Sequence, residues 1–221
     1  FFKKFLIQPI DILLVCTVSA LGFSAGENYF YSKGANDLHF IDEKIVLGTL
    51  GEVFCSAPIV YSLIKYRFYS KSKNIFNVVL MFFIAVILHG AYDFWMNYEK
   101  TTQYGFIIII MYYLFLISFY ANTLTNALNF DSNFTYKTQI DFKKNRDKLF
   151  KLFGLLLLIQ FFVIGLGLHF SLAIENLKNV FLFAGLVIII AIYRLNKLKL
   201  IKKKWNNLKI ELPFELYRID T

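Results

Sequence analysis

The stretch YGFIIIIMYYLFLISFY (104–120) contains no charged side chain, and the residues that follow it are also uncharged up to Phe130. An α-helix rises about 1.5 Å per residue, so about 20 apolar residues cross the roughly 30 Å hydrocarbon core of a bilayer. A run of this length and composition predicts a transmembrane helix rather than a buried helix of a soluble domain.

The composition of the whole chain points the same way. The 221 residues are 57% hydrophobic and 19% aromatic, and the mean hydropathy is +0.54. Charged residues make up 18% of the chain, whereas about a quarter is usual for a soluble domain. This composition excludes an ordinary soluble domain and predicts an integral membrane protein.

Further apolar segments of membrane-spanning length occur along the chain. Windows of about 19 residues predict about six spans, near residues 5–31, 45–64, 76–97, 104–128, 149–174 and 179–196. We therefore predict an all-α polytopic transmembrane helical bundle. We divide the chain into a core with three spans and the polar residues (1–98), further helices with a cytoplasmic loop at 129–148 (99–196), and a basic cytoplasmic tail (197–221).

The distribution of Lys and Arg predicts the orientation, because cytoplasmic loops retain positive charge. With both ends of the chain in the cytoplasm, the external segments contain only Lys33, Lys44, Lys100 and Lys178 of the 24 Lys and Arg residues. The abundance of Phe, Ile, Lys, Asn and Tyr, which have AT-rich codons, favours the inner membrane of a low-GC bacterium.

The net charge of +9 has the same explanation. The topology rule and the attraction of basic segments to anionic lipid headgroups account for it. No nucleic-acid-binding motif accompanies the charge, so we predict membrane lipids, and not nucleic acid, as the partner of the basic segments.

Four ionisable residues lie inside the predicted spans: Glu27, Glu52, His89 and Asp93. Helix rise places them about 6 to 12 Å below the predicted outer surface of the bilayer. Each would cost on the order of 3 kcal/mol if it faced lipid, so we expect these side chains to face one another or a wet cavity. His89 and Asp93 are four residues apart and share one helix face.

Such a cluster suits hydrolysis. A carboxylate in a low-dielectric pocket can take a proton from water, and a histidine can donate a hydrogen bond to a developing oxyanion. The same four residues are also acceptable ligands for Zn²⁺ or another divalent ion. The sequence leaves metal-dependent and metal-free hydrolysis open.

Two motifs carry a family resemblance. SALGFSAGENYFY (19–31) resembles the GF-x-x-x-EN-x-x-Y motif of the PrsW-type intramembrane proteases, and HGAYDF (89–94) resembles the later His-Gly-x-Tyr-Asp-Phe segment of that family. Asp11 matches the aspartate that commonly opens the first segment. The resemblance covers roughly residues 1 to 98 and extends distantly to the CAAX-prenyl proteases.

The resemblance implies an integral membrane peptidase that cuts other membrane proteins within or close to the bilayer. It places Glu27 and His89 in the active site, with Asn28 and Asp93 orienting their neighbours. Glu52, which lies at the same depth in the apolar context LGTLGEVFCSAPIV, completes our set of candidate catalytic residues.

The sequence departs from the family pattern at two points. The Glu-Glu-x-x-Lys motif does not occur in this chain, and if Lys3 belongs to it the two glutamates would precede Phe1. Gly51 and Glu52 stand where many relatives carry Gly-His. A non-catalytic PrsW-like subunit of a larger membrane complex is therefore the alternative hypothesis. A proton-coupled carrier is a third, disfavoured by the lack of internal repeats.

Two stretches alternate between apolar and polar residues instead of following a helical period. They are FTYKTQIDF (134–142) and LKIELPFEL (208–216). This alternation is typical of β-strands, and we predict that the two stretches pair with each other or with a partner's sheet.

Overall fold

A computed structural model of the chain describes residues 6–34, 38–70, 74–97, 102–134, 142–198 and 200–208. Within these ranges every regular element is a helix and no strand occurs, which confirms the all-α prediction. The helices, in order, are α1 (Pro9–Gly34), α2 (Leu38–Cys55), α3 (Ala57–Ile64), α4 (Ile75–Asn97), α5 (Thr102–Phe130), α6 (Phe142–Gly167), α7 (Phe170–Val180) and α8 (Leu186–Leu195). π-Helical turns extend α3 over Lys65–Tyr69 and join α7 to α8 over Phe181–Gly185.

Within the described ranges, five helical segments are long and apolar enough to cross a membrane: Pro9–Phe30, Val46–Tyr69, Ile75–Trp95, Ile107–Phe130 and Lys143–Gly167. Helical structure also runs without a break from Phe170 to Leu195, and its last part is a shorter apolar helix. Together these segments agree with about six spans. The fifth span ends at Gly167, whereas the sequence placed its end near residue 174.

The first helix begins where its acidic residue can bind exposed backbone N–H groups. The Asp11 carboxylate accepts hydrogen bonds from the backbone N–H groups of Ile7 (2.9 Å) and Gln8 (2.7 Å), just before the first helical residue, Pro9. Proline is favoured there because its missing N–H would have no helical partner. The Gln8 amide also bonds Ser132 after α5, which ties this helix start to the end of α5.

The core of the bundle is built around α5. Its residues Tyr113, Leu116 and Ile117 are almost completely buried and contact residues of α2, α4, α7 and α8. Large apolar side chains of α1, α4 and α6, by contrast, are widely exposed, as is expected of helices that face lipid. The chain is therefore an integral membrane protein with α5 as its central helix.

Residues 200–208 pack against the bundle. The buried Asn126 side chain donates to the Asn206 carbonyl (2.9 Å) and accepts from the Asn206 N–H (2.7 Å). One helical turn later, the buried Asn129 side chain donates to the Lys204 carbonyl (2.8 Å) and accepts from the Ile201 N–H (2.8 Å). Two asparagines of α5 thus hold the chain after α8 through its backbone.

Trp205 fills the space beside these asparagines. Its ring stacks on Tyr69 with centroids 4.7 Å apart, and its indole N–H donates to the Tyr61 hydroxyl at 3.1 Å. Phe130 contacts the same indole ring edge-on. The first part of the predicted tail is therefore packed onto α3 and α5. The two predicted strands lie largely outside the described residues, since 135–141 and 209–216 are not among them.

Candidate active site

The ionisable residues predicted from the sequence lie at one end of the bundle. Glu27 is near the C-terminal end of α1, Glu52 lies in α2, and His89 and Asp93 are near the C-terminal end of α4. Since α1 and α4 run in the same direction and the α2 span runs opposite to them, these positions meet at a common level. We call this the site end of the bundle.

His89 lies between two carboxylates. Its Nδ1 atom is 2.5 Å from Oε1 of Glu52, and its Nε2 atom is 3.2 Å from Oδ2 of Asp93. The second contact joins residues four apart on α4, which share a helix face. The Glu52 side chain is 13% exposed, against 29% for His89 and 35% for Asp93, so the shorter contact is also the better shielded.

This geometry requires protons on both sides of the imidazole ring. Either an imidazolium donates to both carboxylates, or a neutral ring donates to one and accepts from the other in its protonated form. In both cases one hydrogen atom lies in each contact between a ring nitrogen and a carboxylate oxygen. Such a group can exchange protons with a bound molecule, which is what general acid–base chemistry needs.

α1 contributes the third side of the cluster. The half-buried Glu27 interacts electrostatically with His89, and the Phe23 ring meets the imidazole edge-on with centroids 6.1 Å apart. The structure therefore brings Glu52, His89 and Asp93 into direct contact and sets Glu27 within electrostatic range of the histidine.

Asn28 links α1 to α2. Its side-chain amide donates to the hydroxyls of Ser24 and Thr49, at 3.2 Å each, and these two hydroxyls are 2.8 Å apart. The family resemblance implied that Asn28 orients or hydrogen-bonds its neighbours. Through these bonds it fixes the helix carrying Glu27 against the helix carrying Glu52.

Tyr112 of α5 and Cys55 of α2 support the backbone next to His89. The sequence analysis did not connect either residue with the site. The Tyr112 hydroxyl donates to the carbonyl of Leu88, which precedes the histidine, at 2.9 Å. The Cys55 thiol lies 2.9 Å from the same hydroxyl and donates to it. The sequence did contain a signal for this contact, namely the pair Tyr112 and Tyr113 inside an apolar run. A buried tyrosine hydroxyl usually forms a hydrogen bond, so a polar partner on a neighbouring helix was to be expected.

A glycine sets the position of Glu52. A Cβ atom at Gly51 would lie 3.2 Å from the Tyr113 hydroxyl, which itself donates to the Leu47 carbonyl. Only a residue without a side chain leaves this contact undisturbed. α2 can therefore lie close to α5, and the next residue, Glu52, projects toward α4.

A metal centre does not fit these side chains as they are arranged. Among the described residues, no group of three or more His, Cys, Asp or Glu side chains could hold a metal ion. Imidazole and carboxylates are donor types that Zn²⁺ accepts, with metal–ligand distances near 2 Å. Both ring nitrogens of His89, however, already face carboxylate oxygens, so a metal ion would first have to displace one of those contacts.

Comparison with known proteins gave one kind of match. A family model described as PrsW family intramembrane metalloprotease matches residues 1–121, which is more than half of the chain. The matched range contains Glu27, Glu52, His89 and Asp93. Searches of curated proteins and of solved structures found no match.

Proposed function

The chain belongs to the PrsW family of intramembrane metalloproteases, and on that premise we propose that it is an endopeptidase acting on membrane-associated substrates. The observation that carries the proposal is the placement of His89 between Glu52 and Asp93, within electrostatic range of Glu27. A histidine and three carboxylates in a membrane-embedded site are suited to activating water and stabilising an oxyanion.

We assign the general base to Glu27. Its carboxylate removes a proton from a water molecule, whose oxygen forms a bond to the carbonyl carbon of the scissile peptide. The resulting oxyanion accepts a hydrogen bond from His89. The C–N bond then breaks as Glu27 returns the proton to the leaving nitrogen, so the products are a carboxylic acid and an amine.

The two contacts of His89 suggest different roles for their carboxylates. The 2.5 Å contact with Glu52 would keep the ring in place throughout the reaction. The 3.2 Å contact with Asp93 is longer and more exposed, so it is the one that a substrate carbonyl would replace. On this proposal Nε2 carries the hydrogen that reaches the oxyanion.

The test uses the full-length protein reconstituted in proteoliposomes with single-span reporter proteins tagged at both ends. We expect Glu27→Gln and His89→Ala to lower the cleavage rate at least about 100-fold, as is usual for loss of a general acid or base. Glu175→Gln, which changes an exposed carboxylate on α7, is the matched control and should cleave normally. Undiminished cleavage by both site variants would overturn the proposal.

We also propose that both ends of the chain are cytoplasmic and that the membrane is a bacterial inner membrane. The uneven distribution of Lys and Arg among the loops supports this orientation. A C-terminal fusion to a reporter that is active only in the cytoplasm should be active, and a periplasm-specific reporter at the same position should not.

A second candidate function is that of a non-catalytic subunit in a larger membrane complex. One observation favours it: both ring nitrogens of His89 are engaged by carboxylates of the chain itself. In that case the full-length protein would co-purify with a stoichiometric membrane partner, and His89→Ala would leave reporter proteins as intact as the wild type does.

A further inference from the structure

A polar cavity of about 370 Å³ lies at the end of the bundle opposite the site end. It is enclosed by α5, the C-terminal end of α8 and the chain that follows α8. Three basic side chains line it, Arg194, Lys197 and Lys204, together with polar groups such as Asn122 and Thr125. None of the described residues that line this cavity is acidic.

We propose that this cavity binds a phosphate group, and that its source is the headgroup of an anionic phospholipid. A guanidinium offers a planar fork of N–H donors that matches phosphate oxygens, and ammonium groups add point charges around it. Basic pockets between transmembrane helices are known to suit anionic lipid headgroups. The volume also falls within the range of about 300–1,000 Å³ that is usual for small-molecule sites.

The cavity wall is fixed in place. The segment that carries Lys204 is held through its backbone by Asn129 and, two residues later, by Asn126. On the other side, the Lys197 ammonium lies 4.4 Å from the centroid of the Tyr193 ring, a cation–π contact that limits where this charge can move. A segment whose backbone is held in this way loses less freedom on binding than a flexible tail would.

A neighbouring cavity supports a lipid over free phosphate. An apolar cavity of about 610 Å³ lies between α5, α6 and α8, and Leu198 lines both cavities. Its walls are mainly leucines, including Leu124, Leu152 and Leu155, with Lys148 and Lys151 beside them. A phospholipid whose phosphate occupies the polar cavity would therefore have an apolar surface for its acyl chains next to it.

The lipid site does not depend on the proposed protease activity. Its lining residues lie on α5, α8 and the segment after α8, and none of them belongs to the cluster around His89. A protein without peptidase activity would still possess this cavity. Failure of one proposal therefore leaves the other standing.

The test compares lipid retention by the full-length protein in mixed nanodiscs of phosphatidylglycerol and phosphatidylcholine, using native mass spectrometry after extraction. We expect preferential retention of phosphatidylglycerol, reduced about tenfold or more by Arg194→Gln, which removes charge-assisted hydrogen bonds. Lys204→Gln should also lower it. Lys202→Gln, which changes an exposed lysine of the same segment that does not line the cavity, should have little effect.

Each outcome decides something. Equal retention by wild type, Arg194→Gln and Lys204→Gln would overturn the proposal, and so would an equal fall in Lys202→Gln, since that would indicate general surface charge. If Arg194→Gln does not fold, Lys204→Gln keeps the test valid, because the backbone bonds at residue 204 do not need its side chain. A separate experiment compares the unfolding temperature of the protein in phosphatidylcholine nanodiscs with inorganic phosphate and in nanodiscs that contain phosphatidylglycerol. If inorganic phosphate raises the unfolding temperature as much as phosphatidylglycerol does, the phosphate does not have to come from a lipid headgroup, and the proposal of a lipid site is contradicted.

Discussion

Oε1 of Glu52 and Nδ1 of His89 are 2.5 Å apart, although the two residues belong to different helices, α2 and α4. The Glu52 side chain is largely shielded, and a shielded carboxylate is costly unless it is paired. Loss of His89 would leave the shielded Glu52 carboxylate without this hydrogen bond. This contact therefore fixes the ring orientation and also joins the two helices.

Replacement of Glu52 by glutamine tests what the negative charge of Glu52 contributes to the site. Glutamine keeps an oxygen that can accept from Nδ1–H, but it removes the negative charge that stabilises a protonated ring. We expect Glu52→Gln to fold and to cleave reporters about 10- to 100-fold more slowly than the wild type. Initial cleavage rates in proteoliposomes and thermal unfolding of the same preparations measure the two effects separately. A rate equal to that of Glu175→Gln would contradict the role of Glu52.

Asp93 should matter less than Glu52. Its contact with His89 is 3.2 Å long and about a third of its side chain is exposed, so solvent can replace much of what the carboxylate provides. We expect Asp93→Asn to lower the cleavage rate by less than about tenfold and to leave thermal stability nearly unchanged. The measurement is the ratio of the Asp93→Asn and Glu52→Gln rates on one reporter. A larger loss for Asp93→Asn would reverse the two assigned roles.

The sequence predicted part of this site and not the rest, for a physical reason. The pairing of His89 with Asp93 follows from helix geometry, because residues four apart share a face. The contact with Glu52 depends on how α2 is placed against α4 and α5, which is set by tertiary packing such as the close approach at Gly51. Depth within the bilayer indicated that these residues share a level, but not which atoms touch.

The binding of residues 200–208 was not predicted. Asn126 and Asn129 lie near the end of α5, where polar side chains are expected to satisfy the helix terminus. The groups that they bind are backbone N–H and carbonyl groups, which every residue carries, so the partner segment has no distinctive sequence. The one side chain of the segment with a distinctive contact is Trp205, which packs against Tyr61 and Tyr69.

The α6–α7 hairpin provides a test with an internal control. A Cβ atom at Gly165 would lie 2.7 Å from the Phe170 ring, whereas one at Gly154, on the same helix, would meet nothing within 4 Å. We expect Gly165→Ala to have a lower unfolding temperature than Gly154→Ala, since the exposed Phe170 ring must move in the first variant only. Gly154→Ala should leave the unfolding temperature unchanged or raise it, because alanine favours helix by about 0.5–1 kcal/mol. Equal unfolding temperatures for the two variants would contradict the close contact.

The asparagine contacts of α5 predict a fluorescence change. The chain has two tryptophans, so in a Trp95→Phe background the emission reports on Trp205 alone. Asn126→Ala removes both hydrogen bonds to the partly buried backbone of Asn206, each of which contributes about 0.5–1.5 kcal/mol. We expect a red-shifted Trp205 emission and faster proteolysis after residue 200.

Asn133→Ala is the control for this experiment, because Asn133 is exposed and lies only a few residues beyond α5. It should leave both the emission maximum and the proteolysis rate unchanged. If Asn126→Ala also leaves the emission of Trp205 unchanged, the aromatic contacts of Trp205 and the hydrogen bonds of Asn129 are together sufficient to hold the segment. A variant that adds both Asn129→Ala and Tyr69→Ala would then have to shift the emission to the red, since it also removes the asparagine bonds and the ring stacking.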